Sequence, residues 1–113
     1  MYRTLAMAAA SLFVIAGGAH ADPIEGSWET QSGDNATISS CGSSFCIKLT
    51  SGEYAGKAIG KMAASGGGKY TGSITKPSNG KTYSGSARLS GASLKMTGCV
   101  LAVLCETQTW QKM

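Results

Sequence analysis

The sequence predicts an all-β protein, a small antiparallel up-and-down β-barrel stapled by two disulfides, occupying residues 22–113 behind an export signal at residues 1–21. Three observations predict it. Apolar and polar residues alternate with the period of two that a half-buried strand requires. Glycine-rich turns punctuate the chain at short intervals. Four cysteines stand as two closely spaced pairs, which is the arithmetic of a small exported domain.

The first element is the signal. Arg3 supplies a positive charge, the chain then runs apolar from Leu5 to Ala16, and Ala19-His20-Ala21 gives the small-x-small pattern read by signal peptidase, so cleavage is expected before Asp22. The apolar stretch is about twelve residues long, short of the ~20 needed for a membrane span. No cysteine stands at the cleavage point to carry a lipid. The expected product is a periplasmic or secreted single domain over residues 22–113, large enough for one modest core and too small for two.

The strands follow in order. Residues 25–31 around Trp28, 35–39 around Ile38, 45–50 with Ile47 and Leu49, and 57–62 make the first four. Residues 69–75 carry Tyr70, Gly72 and Ile74 on one face, and residues 81–90 carry Tyr83, Gly85, Ala87 and Leu89 on one face against Thr82, Ser84, Ser86 and Arg88 on the other. Residues 93–98 turn Leu94 and Met96 inward, and 106–112 form the last strand around Trp110. Between them lie Gly33-Asp34, Cys41-Gly42-Ser43-Ser44, Ser65-Gly66-Gly67-Gly68, Pro77-Ser78-Asn79-Gly80 and Ser90-Gly91. These are turn sequences, and Asn79-Gly80 between alternating runs is a hairpin signal. Eight short strands joined by tight turns suggest a meander closed into a barrel, which brings Trp28 and Trp110 onto neighbouring strands at one end.

Cys41, Cys46, Cys99 and Cys105 all lie within 22–113. Three pairings are open. Proximity and ease of oxidation favour Cys41 with Cys46 and Cys99 with Cys105, whereas loop-closure entropy alone favours crossed pairs, at ~4 kcal/mol per bridge against ~2 for the local ones. A four-cysteine zinc site or a redox pair is the sharper alternative. The absence of Cys-x-x-Cys and the oxidising compartment argue for disulfides instead.

Composition narrows the chemistry. Loss of Arg3 with the signal takes the formal net charge down by one from +4, and the remaining charges are scattered singly, with no basic run to read nucleic acid. The one histidine, His20, lies in the signal, so the domain has no imidazole for nucleophilic triads, metal ligation or acid–base work near neutral pH. Six dispersed carboxylates offer no singled-out pair. The expectation is a monomer that is not an enzyme, with no catalytic residues, no metal and no cofactor.

Pro23-Ile24-Glu25-Gly26-Ser27-Trp28, Cys41-Gly42-x-x-Phe45-Cys46, Gly80-Lys81-Thr82-Tyr83-Ser84-Gly85, and Gly98-Cys99 through Thr107-Gln108-Thr109-Trp110 resemble, in the same order, the small exported bacterial family called domain of unknown function 2147. The resemblance implies a lipocalin-like antiparallel barrel outside the cytoplasm and transfers no catalytic residue. The chain is shorter than many relatives between Thr50 and Lys69 and has a second cysteine pair where many have none, which suits a local Cys99–Cys105 bridge. Gly26-Ser27-Trp28 is also similar to the short Gly-x-Trp motif of lipocalins.

An eight-stranded barrel is filled by its own side chains or holds one small ligand. Inward positions Gly72, Gly85, Ala87 and Gly98 are small and leave room, or else supply the bends that closure requires. The lining is expected from Trp28, Ile38, Leu49, Tyr70, Ile74, Tyr83, Leu89, Leu94, Met96 and Trp110, with Trp28, Tyr70, Tyr83, Met96 and Trp110 as candidate ligand contacts in a cavity fit for a small apolar molecule. The alternative is an envelope protein-interaction module with a solid core, comparable at fold level to small exported inhibitors of cell-wall hydrolases, acting through the loop Thr50-Ser51-Gly52-Glu53-Tyr54.

Overall fold

The computed structural model describes residues 22–100 and 104–113, so the signal predicted at 1–21 lies outside them. Eight strands follow one another: β1 (Gly26–Glu29), β2 (Asn35–Cys41), β3 (Ser44–Leu49), β4 (Ala58–Gly66), β5 (Lys69–Thr75), β6 (Thr82–Ser90), β7 (Ser93–Val100) and β8 (Leu104–Lys112). Each pairs antiparallel with the next, and β8 returns to β1 through Trp28↔Lys112 and Glu29↔Gln111 to close the barrel. Every strand expected from the alternation is present, with β4 continuing past Met62 to Gly66.

The alternation decides what faces in. On β6, Gly85 and Ala87 are buried and Tyr83 and Leu89 half-buried, while Thr82, Ser84, Ser86 and Arg88 are exposed. The same parity sends Lys48, Lys61, Lys95 and Thr107 outward. The outer wall is therefore polar, unlike the apolar band of a barrel that faces lipid. A bulge breaks the parity on β4: Ile47 pairs with Gly60 but Lys48 with Ala58, so Ile59 is left over and turns into the interior.

Up-and-down connectivity sorts the connections to two ends. Two-residue turns at Gly42-Ser43, Gly67-Gly68 and Gly91-Ala92 lie at one end, together with the segment that precedes β1. The longer connections β1–β2, β3–β4 and β5–β6 lie at the other, with the start of the β7–β8 connection. Asn79-Gly80 belongs to this longer class. Rather than a two-residue turn, it sits in a closed loop in which Lys76 N–H bonds Lys81 C=O at 2.8 Å, Gly80 N–H bonds Lys76 C=O at 2.8 Å, and Asn79 Oδ1 takes the Lys81 N–H at 2.8 Å.

Both disulfides are local, Cys41–Cys46 between β2 and β3 and Cys99–Cys105 between directly opposed residues of β7 and β8. All four cysteines are engaged in these bridges, which leaves no thiolate set for the zinc alternative. Structural disulfides of this kind belong to proteins of non-cytoplasmic compartments.

Candidate functional site

The barrel is sealed at the end of the tight turns. Ile24 and Trp28 are fully buried there, and the Trp28 indole N–H bonds the Ile24 carbonyl at 2.9 Å. Asp22 accepts hydrogen bonds from the Tyr70 hydroxyl and from the Ile24 N–H, so the segment before β1 is pinned across the opening. Phe45 meets Tyr70 edge-on at 5.8 Å between ring centres, and the Lys112 ammonium lies 4.8 Å from the centre of the Trp28 ring while bonding the Pro23 and Glu25 carbonyls. Burial, the Asp22 hydrogen bond and the Asp22 charge together push the Tyr70 phenol well above its ordinary pKa.

Above this floor the interior is open. A cavity of about 780 Å³ runs from Trp110 and Met96 up to the longer loops, within the range of pockets that hold drug-sized ligands and larger than the small-molecule space expected from the sequence. Its wall is largely apolar, from Ile47, Leu49, Ile59, Ile74, Tyr83 and Met96. Its rim comes from three loops and the β7–β8 hairpin: Thr30, Ser32 and Asp34, then Tyr54, then Lys76 to Ser78, and Val100 with Leu104. The β1–β2 and β3–β4 loops brace one another, since the Ser51 hydroxyl accepts the Asn35 N–H at 2.8 Å and Gly52 lies against the Asp34 carboxylate. At Gly52 the backbone is left-handed, with φ at 84°, and any Cβ would strike that carboxylate. Tyr54, offered by the sequence as an exposed loop aromatic, instead packs half-buried against the core at the cavity rim.

Of the three glycines expected to face inward, Gly72 is exposed, Gly85 is buried, and Gly98 is half-buried and lines the cavity. Gly72, Gly85 and Gly98 are opposed in one row across β5, β6 and β7. Over Gly72 the backbone of β4 closes in, so that a Cβ would strike the Lys61 carbonyl and lie 2.9 Å from Met62 Cα. Over Gly85 lean Ile74 and Met62, whose carbons would be 2.7–3.1 Å from a Cβ. Over Gly98 a Cβ meets only Tyr83 at 3.8 Å and Ile74 at 3.9 Å, which is ordinary contact. Two of the three glycines let the wall pack, and the third opens space.

Of the five candidate ligand contacts, Tyr83, Met96 and Trp110 line this cavity, while Trp28 and Tyr70 build the floor beneath it. The sequence reading passed over Glu106 and Gln108, which the parity of β8 sets at the cavity on the same row as Leu104 and Trp110, with Trp110 buried and the other three exposed. Gln108 Oε1 accepts the Trp110 indole N–H at 3.1 Å, and Glu106 faces Gly98, which has no side chain to cover it. Stepping back by twos from Trp110 would have found both.

A bacterial family described as uncharacterized protein conserved in bacteria, DUF2147, matches the chain over residues 26–112. No curated protein and no solved structure matches it significantly.

Proposed function

Because the chain belongs to the bacterial DUF2147 family and closes into a barrel with one open end, we propose that it is a non-catalytic binding protein. It takes a small apolar ligand into the barrel and works as a monomer in the periplasm or outside the cell after residues 1–21 are removed. The observation that carries this reading is the cavity of about 780 Å³ above a sealed floor. A barrel whose only task is to display its loops has no use for a hollow interior, which costs packing contacts along its whole lining. The rival interaction module calls for a solid core, and the open interior weighs against it. The lack of histidine in residues 22–113 supports a binder over an enzyme, and the two local disulfides support the extracytoplasmic site.

The test is native mass spectrometry of residues 22–113 purified from the periplasm, beside an organic extract. A mass excess that extraction releases is the expected result. A bare mass, with no displacement of a fluorescent apolar probe by any extracted compound, would overturn the reading.

A further inference from the structure

We propose that the cavity selects a single-chain amphiphile with a cationic or hydroxylated head, seated tail-down with its head on Glu106, and that it rejects the carboxylate of the same chain. The inference rests on the binding reading above and names the ligand class. It starts from the inward row of β8. Leu104 stands at the rim, Trp110 at the bottom, and Glu106 and Gln108 between them, so the polar groups sit part-way down an otherwise apolar wall. A strand rises roughly 3.4 Å per residue, so from Glu106 down to Trp110 there is space for a tail of up to about 13 Å.

The hydrogen-bonding capacity is one-sided. Glu106 lies opposite Gly98, and among the described residues no donor is bonded to its carboxylate. An ionised carboxylate only accepts, so it calls for a donor from the ligand. Gln108 has its oxygen committed to the Trp110 indole, which fixes the amide so that its NH₂ is free to bond a head-group oxygen. The same bond occupies the indole N–H and leaves Trp110 only its apolar ring for the tail.

Charge agrees with this. The cavity is lined by two carboxylates, Asp34 and Glu106, and by one ammonium, Lys76. The protein as a whole carries more cations than anions, whereas this lining carries one more acid than base. Asp34 and Lys76 belong to two different rim loops, β1–β2 and β5–β6, and Glu106 is the charged group on the wall below them. A hydroxyl or ammonium head donates to it. A fatty-acid head has no proton to give at neutral pH and sets a second negative charge beside the Glu106 carboxylate, where like charges repel.

The experiment is competition by decylamine, decanol and decanoate against a fluorescent apolar probe bound to oxidised residues 22–113 at neutral pH. Decylamine and decanol are expected to displace the probe, with decylamine at least about tenfold tighter than decanoate, a difference of ~1.4 kcal/mol. Glu106→Gln should erase the preference for amine over acid and leave decanol unchanged, and Glu106→Lys should invert it, a reversal that a structural defect would not produce. Equal binding of amine and acid to the parent, or a ratio that Glu106→Gln leaves in place, would overturn the head-group assignment while leaving the binding reading intact. Failure of all three chains to displace the probe, or of the probe to bind, would overturn both.

Discussion

The three opposed glycines allow a test in which one substitution, Gly→Ala, has three different outcomes set by what each Cβ meets. At Gly98 the new methyl meets Tyr83 and Ile74 at 3.8 and 3.9 Å, without strain, and the backbone there is of ordinary sign. Replacing a strand glycine with alanine removes ~0.5–1 kcal/mol of chain-entropy cost, and some of the methyl is buried, so Gly98→Ala should stabilise by about 1 kcal/mol. At Gly85 the methyl must displace the ends of Ile74 and Met62, which are flexible, and the expected cost is ~1–2 kcal/mol. At Gly72 it strikes the β4 backbone itself, so the two strands must part, at a cost of ~3 kcal/mol or more. For a domain of this size 1 kcal/mol moves Tm by ~4–8 °C. Thermal unfolding should therefore raise Tm slightly for Gly98→Ala, lower it moderately for Gly85→Ala, and lower it by more than ~12 °C for Gly72→Ala. The larger Gly98→Leu should keep the parent's stability and, by occupying part of the cavity, weaken probe binding. A Gly98→Ala protein that melts as far below the parent as Gly72→Ala would refute the reasoning, because it would mean that the space over Gly98 is already taken.

Other expectations follow from the floor and the bridges. Trp28→Ala removes a side chain that is 0 % exposed and the indole bond to Ile24, and should cost ~3–5 kcal/mol in urea unfolding. A free energy within ~1 kcal/mol of the parent would show that Trp28 is not the keystone of the floor. The unfolded chain releases a tyrosine proton near pH 10, whereas folded Tyr70 retains its proton to higher pH. Its contribution to stability is thus complete below about pH 10 and is lost as pH rises beyond it. The parent's urea midpoint should fall more between pH 8 and pH 11 than that of Tyr70→Phe, and equal falls would contradict the assignment. Each disulfide closes a short loop, of sequence separation 5 or 6, so replacing either pair with serine should cost about 2 kcal/mol while far-ultraviolet circular dichroism stays that of the parent.

What could be read from the sequence was what depends on neighbours along the chain. Period-two alternation located β5, β6 and β7 and put Tyr83, Met96 and Trp110 inside, because the parity of a strand is a local property. The disulfide pairs were legible for the same reason, each bridging one hairpin. Trp28 and Tyr70 were placed correctly as inward but not in depth, since the floor depends on Asp22 reaching Tyr70 across 48 residues. Likewise, Gly72, Gly85 and Gly98 look alike in sequence. They differ only in what leans over them from other strands: the β4 backbone, the tips of Ile74 and Met62 in close approach, or Tyr83 and Ile74 at ordinary contact distance. Glu106 and Gln108 were overlooked because polar residues in a strand are ordinarily assigned to the solvent side, and here two occupy the inner row.

The sealed floor makes the barrel a cup rather than a conduit. On the binding reading proposed above, cargo would enter and leave by the loop end, and an acceptor or donor of it would meet that end. Asp22 and Lys112 both lie at the blind end, joined there to Tyr70 and to the Pro23 and Glu25 carbonyls. A tether, tag or solid support attached at either of those points would therefore hold the molecule with its mouth facing away from the attachment, free for traffic.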